Sequence, residues 1–394
     1  MNKTVPLEEV LGLIKKEVDP ALLKKAQERQ TAVWEGREPD YLPLIVSAPL
    51  PERSNYPTYD LKEQFYDPEK MLYEQLWPVL GTLRAKADGV PSIRANFGTA
   101  FLASVFGLEQ EVFSDKMPWL QKHLTKEVVL RLKPEGLEPI SGKGLMPECR
   151  RYIAFYQEKI GDLPIKIYLP DTQGPFDLAH LVLGDAIFTE LYDDPDFVAH
   201  LLGLTAYVYR QASRTIKGWF GEPENGGCHG GNLYMTNCGV RSCEDTTTLL
   251  APSSIKMIVP FLREALAPFG GWLHFCGGGK HLLEPFLALP EVKGVNFGNP
   301  EKYDWEKTIK QIADAGKVYY GNVPRKEAEP PGKETEPLAE YFRRVLAPLK
   351  RKGNLIFCPT LNEAGFLCKG TESQETESPA EAIATWHQVQ DSLF

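Results

Sequence analysis

The sequence predicts an α/β protein built as a parallel (β/α)8 TIM barrel with an N-terminal helical extension. Eight short apolar segments with strand character alternate with amphipathic helical segments, which is the pattern of a parallel barrel. The length of 394 residues exceeds what one small core requires but suits a barrel enzyme with insertions. An open α/β sheet is the alternative architecture, and the number of strand segments disfavours it.

Residues 1–40 are predicted to form the helical extension, and residues 41–394 the barrel. Apolar residues recur at helical spacing between Leu7 and Trp34. Asp19 followed by Pro20 is typical of an N-cap and a first helical residue, which places the start of a second helix there. Residues 35–40 (EGREPD) predict a turn before the first strand.

The remaining elements follow from apolar runs and helical periodicity. The predicted strands are Leu42–Ser47, Ser92–Asn96, Ile165–Leu169, Asn232–Asn237, Gly271–Phe275, Lys293–Phe297, Lys317–Gly321 and Asn354–Phe357. The predicted helices between them include Ala186–Trp219, Ser253–Ala267, Lys280–Leu289, Trp305–Ala315 and Leu338–Arg351. The polar residues 324–337 and 370–379 are predicted loops, the first of them after strand seven.

Charge and composition exclude several classes of partner. The net charge of −9 favours neither nucleic acid nor an anionic membrane, and no apolar run approaches the roughly 20 residues that span a bilayer. Residues 1–19 alternate charged and apolar side chains without the pattern of a cleavable signal. Seven cysteines, an odd number, indicate reduced thiols. We therefore expect a cytoplasmic protein.

The predicted fifth strand ends in His274 and Cys276, which are followed by three glycines. Alternate residues of a strand share a face, so both side chains point the same way. An imidazole nitrogen and a thiolate sulfur suit zinc better than calcium or magnesium. Because strands five and eight of a barrel end at the same mouth, Cys358 is the expected third ligand. Three protein ligands with one open position are typical of catalytic zinc.

Further polar side chains follow the other predicted strands, where a barrel builds its active site. Glu244 or Asp245 would complete the metal's ligand shell or transfer a proton, although acidic residues here also suit a helix N-terminus. Arg94 and Arg241 would anchor an acidic substrate or pair with carboxylates. The candidate catalytic residues are Glu244, Asp245 and Asn322, and the candidate substrate-binding residues are Arg94, Asp171, Gln173, Arg241 and Tyr303.

Cys228 and His229 lie between two pairs of glycines. They form either a second metal-binding pair or a loop at the entrance to a strand. The loop is the favoured interpretation, because it places the pair at the end of the barrel opposite the active site.

Four segments resemble the uroporphyrinogen decarboxylase superfamily, which includes cobalamin-dependent methyltransferases on the same barrel. They are residues 171–179 (DTQGPFDLA), 191–198 (LYDDPDFV), 244–252 (EDTTTLLAP) and 320–324 (YGNVP). The resemblance covers most of the chain from about Asp40 onward. The combination of the four segments is specific for the superfamily, whereas no single segment is.

Two features place this resemblance closest to the corrinoid-dependent methyltransferase branch. Decarboxylases of the superfamily carry an arginine-rich segment after strand one that grips the substrate's carboxylates, whereas residues 47–53 (SAPLPER) keep only Arg53. The His-x-Cys run of the fifth strand matches the zinc motif of methylcobalamin:thiol methyltransferases. Their third ligand is a cysteine two residues after a proline, where this chain has Leu361. Cys358 precedes Pro359 instead, and Cys368 is the second choice.

The resemblance implies a zinc-dependent methyltransferase. It would move a methyl group between a small substrate, either a thiol or a methyl ether or amine donor, and a corrinoid carried on a partner protein. An Asp-x-His-x-x-Gly corrinoid-binding run is absent from the sequence, which indicates a separate corrinoid-binding protein. Two alternatives stay open: a cofactor-free tetrapyrrole decarboxylase of the uroporphyrinogen type, and a non-catalytic corrinoid- or porphyrin-binding barrel. A homodimer is one option for the assembly.

Overall fold

The secondary structure is described here from a computed structural model that covers residues 5–326, 336–359 and 377–394. The helices of these residues are α1 Leu7–Glu17, α2 Pro20–Trp34, α3 Leu61–Tyr66, α4 Pro68–Ala85, α5 Lys126–Val129, α6 Met146–Ile160, α7 Pro175–Leu183, α8 Ala186–Asp193, α9 Pro195–Phe220, α10 Pro252–Leu266, α11 Lys280–Leu287, α12 Trp305–Asp314, α13 Leu338–Leu346 and α14 Pro379–Leu393. The strands are β1 Ser92–Arg94, β2 Gln110–Glu111, β3 Trp119–Leu120, β4 Lys166–Tyr168, β5 Gly226–His229, β6 Leu233–Thr236, β7 Val240–Cys243, β8 Gly271–Phe275, β9 Val292–Phe297, β10 Val318–Gly321 and β11 Leu355–Phe357.

A five-stranded parallel sheet with the order β11-β10-β9-β8-β7 is the centre of this mixed α/β architecture. Helices connect its strands, as parallel pairing requires. A second, two-stranded parallel sheet pairs β1 with β4, and two antiparallel pairs join β2 to β3 and β5 to β6. The predicted α/β class with parallel strands is therefore confirmed.

Two isolated bridges extend the parallel pairing beyond the five-stranded sheet. Leu44 bridges to Phe357 in β11, and Gln173 bridges to Cys243 in β7, both in parallel orientation. The backbone N–H of Ile45 donates to the Phe357 carbonyl at 2.8 Å. The predicted first strand, Leu42–Ser47, thus lies beside β11, although only Leu44 makes a ladder contact.

The predicted fourth parallel strand is wrong. Residues 232–237 contain β6, which pairs with β5 in an antiparallel hairpin, and the parallel strand is β7, which begins after the end of the predicted strand. Asn237 has a φ of 57°, so the chain turns sharply between β6 and β7. Both segments have short alternating patterns, and these alone do not tell which segment pairs with a distant strand.

The predicted helix over residues 186–219 is interrupted once. The chain forms α8 and α9, separated at Asp194. The Asp194 side chain accepts a hydrogen bond from the Phe197 N–H, and Pro195 occupies the first turn of α9. An acidic N-cap followed by proline starts a new helix, which explains the break.

The outward face of the sheet is apolar and buried. Leu273 and Phe275 of β8 and Val295 and Phe297 of β9 are each at most 3% exposed. Side chains of α10 and α11, among them Ile258, Leu262, Leu282 and Phe286, are fully or almost fully buried as well. The alternate residues of the same strands therefore point to the opposite, inner face of the sheet.

Helix α2 is joined to the rest of the chain by a buried ion-pair network. Arg29 donates through Nη1 to Asp88 Oδ1 at 2.8 Å and through Nε to Asp40 Oδ1 at 2.7 Å. Asp88 Oδ2 accepts the backbone N–H of Leu44 at 3.0 Å. The Arg29 and Asp88 side chains are each only 7% exposed. A single guanidinium group thus links the helical segment to the strand that borders β11.

Among the residues described, none of the helices combines the length and apolar character that crossing a membrane requires.

We predict that Arg29→Met lowers the free energy of unfolding by about 3 kcal/mol, because it leaves the Asp88 carboxylate buried without its cation. The matched control is Arg37→Met, because the Arg37 side chain is 59% exposed and its ion pair is with a neighbouring surface residue, Glu35. We expect this control to lose less than about 0.5 kcal/mol. Urea denaturation of the two variants and the wild type at pH 7 measures both values. Equal losses would contradict the structural role of Arg29.

Candidate metal centre

The inner face of the parallel sheet carries the polar side chains of the candidate site. Cys243 of β7 pairs with His274 of β8, and His274 pairs with Asn296 of β9. Paired residues of parallel strands share a face, as do residues two apart along one strand. The inner face is therefore formed by Arg241, Cys243, Trp272, His274, Asn296 and Tyr320, with Asp245 and Cys276 just beyond the carboxyl ends of β7 and β8.

Cys243, Asp245 and His274 each offer a ligand atom within 4.8 Å of the others, an arrangement able to hold a metal ion. Within the described part of the chain, no other group of three or more His, Cys, Asp or Glu residues has this arrangement. Cys276 lies at the same place, because its Sγ is 3.3 Å from His274 Nε2. Its backbone N–H donates to Asp245 Oδ1.

Asn296 determines how His274 presents its nitrogens. The Asn296 Nδ2 donates to the Tyr320 carbonyl, so its Oδ1 faces His274 Nδ1, at 2.6 Å. An amide oxygen only accepts hydrogen bonds, and His274 Nδ1 must therefore carry the proton. The lone pair is then on Nε2, the nitrogen that faces Asp245 and Cys276. A hydrogen bond that orients the far nitrogen of a histidine is characteristic of metal ligands.

The protonation states of the donors suit a cation. Burial, assisted by the charge of Arg241, lowers the pKa of His274 and keeps the imidazole neutral. Burial and the charge of Asp245 raise the pKa of Cys276 to about 11, and burial raises that of Cys243 well above its usual value. A bound cation reverses this effect on thiols, because a coordinating thiol loses its proton. The mixture of nitrogen, sulfur and one carboxylate fits zinc rather than calcium or magnesium.

The Glu244 side chain, just beyond the end of β7, points to the side opposite that of Cys243 and Asp245. Its carboxylate is fully buried and accepts hydrogen bonds from Ser242 Oγ at 2.7 Å and Thr247 Oγ1 at 2.9 Å. Burial raises its pKa to about 7. A Cβ on Gly174 would lie 1.9 Å from Glu244 Oε1, so this carboxylate fills the space that the glycine leaves. Glu244 therefore supports the loop behind the candidate metal centre.

Asp177 of α7, which sequence reasoning did not select, supports the same loop. Its carboxylate accepts the backbone N–H groups of Thr246 and Thr247 at 3.0 and 3.1 Å. The Thr247 hydroxyl lies within hydrogen-bonding distance of Asp177 and Glu244 together. These contacts hold the turn that directly follows Asp245. Asp177 is part of the segment 171–179 that carries the family resemblance, which was the available signal.

Arg94, Asp171, Gln173 and Arg241, all predicted to bind substrate, form one network. Arg241 Nη2 donates to Asp171 Oδ1, and Arg94 Nη1 donates to Asp171 Oδ2 at 3.4 Å. Gln173 Nε2 also donates to Asp171 Oδ1, at 2.9 Å. Burial opposes ionisation of Asp171, but the two guanidinium groups hold its pKa at about 2. The structure thus brings these four residues together beside the candidate metal centre.

The other predicted site residues take more peripheral positions. Tyr303 accepts the Gly279 N–H at 2.8 Å and stacks on Phe297, so it supports the glycine-rich loop after β8. Asn322 follows β10, and its backbone carbonyl accepts the Tyr319 hydroxyl. Cys358, the expected third metal ligand, is buried after β11 and is not part of the metal-binding group. Cys368 lies outside the described residues.

Gly298, at the end of β9, makes room for the Cys276 sulfur. A Cβ at this position would lie 2.7 Å from Cys276 Sγ and 3.4 Å from His274 Cε1. Sequence reasoning missed both Gly298 and Asn296, because it considered only the residues from Asn299 onward after the sixth strand. The signal for both was the even spacing of Asn296 and Gly298 on one face of that strand.

The prediction that Cys228 and His229 form a loop is wrong, because both lie in β5. Neither belongs to a metal-binding group among the described residues. The His229 ring packs between Tyr168 and Trp272, with ring centroids 5.1 and 5.0 Å away. His229 therefore packs against the inner face of the sheet. It lies nearer to the amino-terminal ends of the strands than the candidate metal centre does.

The overall structure is similar to that of a methyltransferase from Methanosarcina mazei. The similarity has a TM-score of 0.60 and covers 93% of this chain and 98% of that chain, at 16% sequence identity. At this identity, the likeness establishes a common fold. No protein-family model and no curated protein matches the sequence.

We predict that Asn296→Leu weakens the affinity for Zn²⁺ about 10- to 100-fold, because His274 loses the acceptor that keeps its Nε2 lone pair directed at the site. Asn296→Asp retains an acceptor for the His274 Nδ1–H, and we expect it to keep most of the affinity. Competition with a chromophoric chelator measures each constant. If both variants bind Zn²⁺ as the wild type does, Asn296 has no part in presenting His274.

We predict that Gly298→Ala weakens Zn²⁺ binding at least about tenfold, because the new Cβ displaces the Cys276 sulfur. Gly278→Ala is the matched control in the neighbouring loop, where a Cβ meets nothing within 4 Å. We expect this control to stay within about twofold of the wild type. The same chelator competition tests both, and circular dichroism verifies that both are folded. Equal affinities for the two variants would contradict the proposed contact.

Proposed function

We propose that this chain is a zinc-dependent methyltransferase that moves a methyl group between a small substrate and a corrinoid carried by a partner protein. The observation that carries the proposal is the convergence of His274, Cys276, Cys243 and Asp245 at the carboxyl ends of two adjacent parallel strands. The fold shared with a methyltransferase supports it. A metal ion with an open coordination position is suited to activating a bound thiol or an ether oxygen.

The architecture we propose is a closed (β/α)8 barrel of the uroporphyrinogen decarboxylase type, over residues 41–394, with residues 1–40 as a helical extension. The two isolated parallel bridges support closure, since they place Leu44 beside β11 and Gln173 beside β7. The pair of β1 with β4 would complete the ring between these two edges. A barrel would gather every strand's carboxyl end around the candidate metal centre.

We propose His274, Cys276 and Cys243 as the zinc ligands, with Cys243 in place of Cys358 and one position left open for the substrate. Cys276 Sγ lies 3.3 Å from His274 Nε2. Cys243 belongs with His274 and Asp245 to the group whose ligand atoms lie within 4.8 Å of one another, whereas Cys358 does not. Zinc bound there would stabilise a substrate thiol as its thiolate at neutral pH or polarise the oxygen of a methyl ether, at the position that the protein ligands leave open.

The surrounding residues would orient the ligands and handle the proton. Asn296 holds His274 in the tautomer whose Nε2 is free to bind. Asp245 is 38% exposed and lies 4.0 Å from His274 Nε2, so its carboxylate would accept the proton that a substrate thiol releases. Glu244, Thr247 and Asp177 keep the turn after Asp245 in place. Asn322 and Tyr303 are proposed to line the rim.

The corrinoid would approach over the carboxyl ends of β7 and β8. The reacting carbon must lie in line between the cobalt and the atom at the metal centre, so the corrinoid has to reach this opening. Cys276 and Gly278 are exposed, whereas Cys243 beneath them is 3% exposed. The partner would therefore meet the loop formed by residues 276–279.

We predict that purified protein contains about one zinc per chain and that it consumes free methylcobalamin when a thiol is supplied. His274→Ala and Cys276→Ala should each reduce the rate at least about 100-fold and the zinc content below about half an equivalent. Loss of the methylcobalamin absorbance and metal analysis by mass spectrometry measure the two quantities.

Cys149→Ala is the matched control, because Cys149 is a buried thiol of α6 outside the metal-binding group. It should keep both zinc and activity. Full methyl transfer by His274→Ala would contradict the proposal. Turnover of uroporphyrinogen without metal would favour the decarboxylase alternative, and tight tetrapyrrole binding without any turnover would favour a binding protein.

A further inference from the structure

His229 has buried ring nitrogens without a well-formed hydrogen bond. Its residue is 7% exposed, and among the described residues neither nitrogen has a partner at hydrogen-bonding geometry, although the Gly230 backbone is close enough to act on the ring. The ring is wedged between Tyr168 and Trp272, which hold it in position. Buried donors and acceptors are costly to leave unpaired, so this arrangement is poor as a purely structural one. The two ring nitrogens are therefore available to a ligand that reaches them.

Two arginines that share one carboxylate lie near His229. Arg94 and Arg241 both ion-pair with the single carboxylate of Asp171. The Nε of Arg241 is buried and has no hydrogen-bond partner within the described part of the chain. Burial, together with the charges of Arg241 and Arg94, holds the pKa of His229 well below its usual value, so the ring is neutral. Two guanidinium groups thus share one directly bonded carboxylate, and Asp245 is the further carboxylate whose charge acts on Arg241.

This cluster lies one layer below the candidate metal centre, on the same face of the sheet. Arg241 precedes Cys243 by two residues in β7, and Trp272 precedes His274 by two residues in β8. Two strand residues correspond to a depth of about 6.6 Å. The turn of the β5–β6 hairpin lies beneath the cluster, because the Tyr320 hydroxyl bonds to the carbonyls of Gly230 and Gly231 at 3.1 Å.

We infer that Arg241, Arg94 and His229 form an anion subsite that binds the carboxylate of the small substrate while its reacting atom lies at the candidate metal centre. The Arg241 Nε–H and the N–H of neutral His229 are the free donors. The depth of about 6.6 Å fits an aliphatic acid with about two or three carbons between carboxylate and reacting atom. The link to the metal rests on the proposed function, whereas the subsite itself does not.

Isothermal titration of metal-free protein with butyrate tests the subsite alone. We expect butyrate to bind and 1-butanol, which has the same length without the charge, to show no binding. His229→Phe keeps the ring between Tyr168 and Trp272 and removes both nitrogens. Arg241→Lys keeps the positive charge beside Asp171 and removes the Nε donor. Each should weaken butyrate binding at least about tenfold.

Two control variants match these changes away from the subsite. His387→Phe alters a histidine that also packs on an aromatic ring, Tyr41. Arg210→Lys alters an arginine that pairs with Glu264 on α10. Both controls should bind butyrate as the wild type does. The melting temperature of His229→Phe should be no lower than that of the wild type, because the substitution removes buried unpaired nitrogens. If His229 had only a structural role, its replacement would not abolish butyrate binding while leaving the stability unchanged.

A second titration, on zinc-loaded protein, connects the subsite to the metal. 3-Mercaptopropionate should bind at least about tenfold more tightly than 1-propanethiol, and His229→Phe should abolish that difference. Absent butyrate binding, or equal binding by the wild type and both subsite variants, would overturn the inference whatever the methyl-transfer assay gives. Butyrate binding as expected, in a protein that transfers no methyl group, would support the subsite and contradict the proposed function.

Discussion

The register of three parallel strands is the constraint on which the candidate site depends. Cys243, His274 and Asn296 occupy paired positions on β7, β8 and β9, so their side chains share the inner face. A shift of one residue would turn His274 outward and bring Leu273 or Phe275 inward. Those two residues are completely buried on the outward face, so apolar packing against the helices maintains the register. The chemistry of the inner face is therefore held in place by the hydrophobic core behind it.

A sheet face that carries arginines, carboxylates and thiols has to offset the cost of burying them. Asp171 is ionised between two guanidinium groups, and two hydroxyls donate to the Glu244 carboxylate. Asp177 is held by two backbone N–H groups. Against this background, the atoms that stay unpaired are informative: both His229 nitrogens and Arg241 Nε lie on the path below the candidate metal centre.

Strongly patterned segments were predictable, and contacts between distant segments were not. Strand β8 matches its predicted bounds of Gly271–Phe275, because its apolar run ends clearly at glycines. The strand before it was assigned to residues 232–237, since the hairpin strand β6 and the parallel strand β7 have equally short patterns. Asn296 and Gly298 act through contacts with His274 and Cys276, more than 20 residues away, and neither has a local signature of that role.

By itself, the sequence determined the α/β class, the parallel character of the sheet and the convergence of His274 and Cys276 on one face, because alternation along a strand is a local property. The tertiary structure decided which residues join them. Cys243 and Asp245 lie beside His274 because β7 pairs with β8, whereas Cys358, from a strand two places beyond β9, lies outside the group. Strand order and register arise from long-range packing, and spacing within one segment does not encode them.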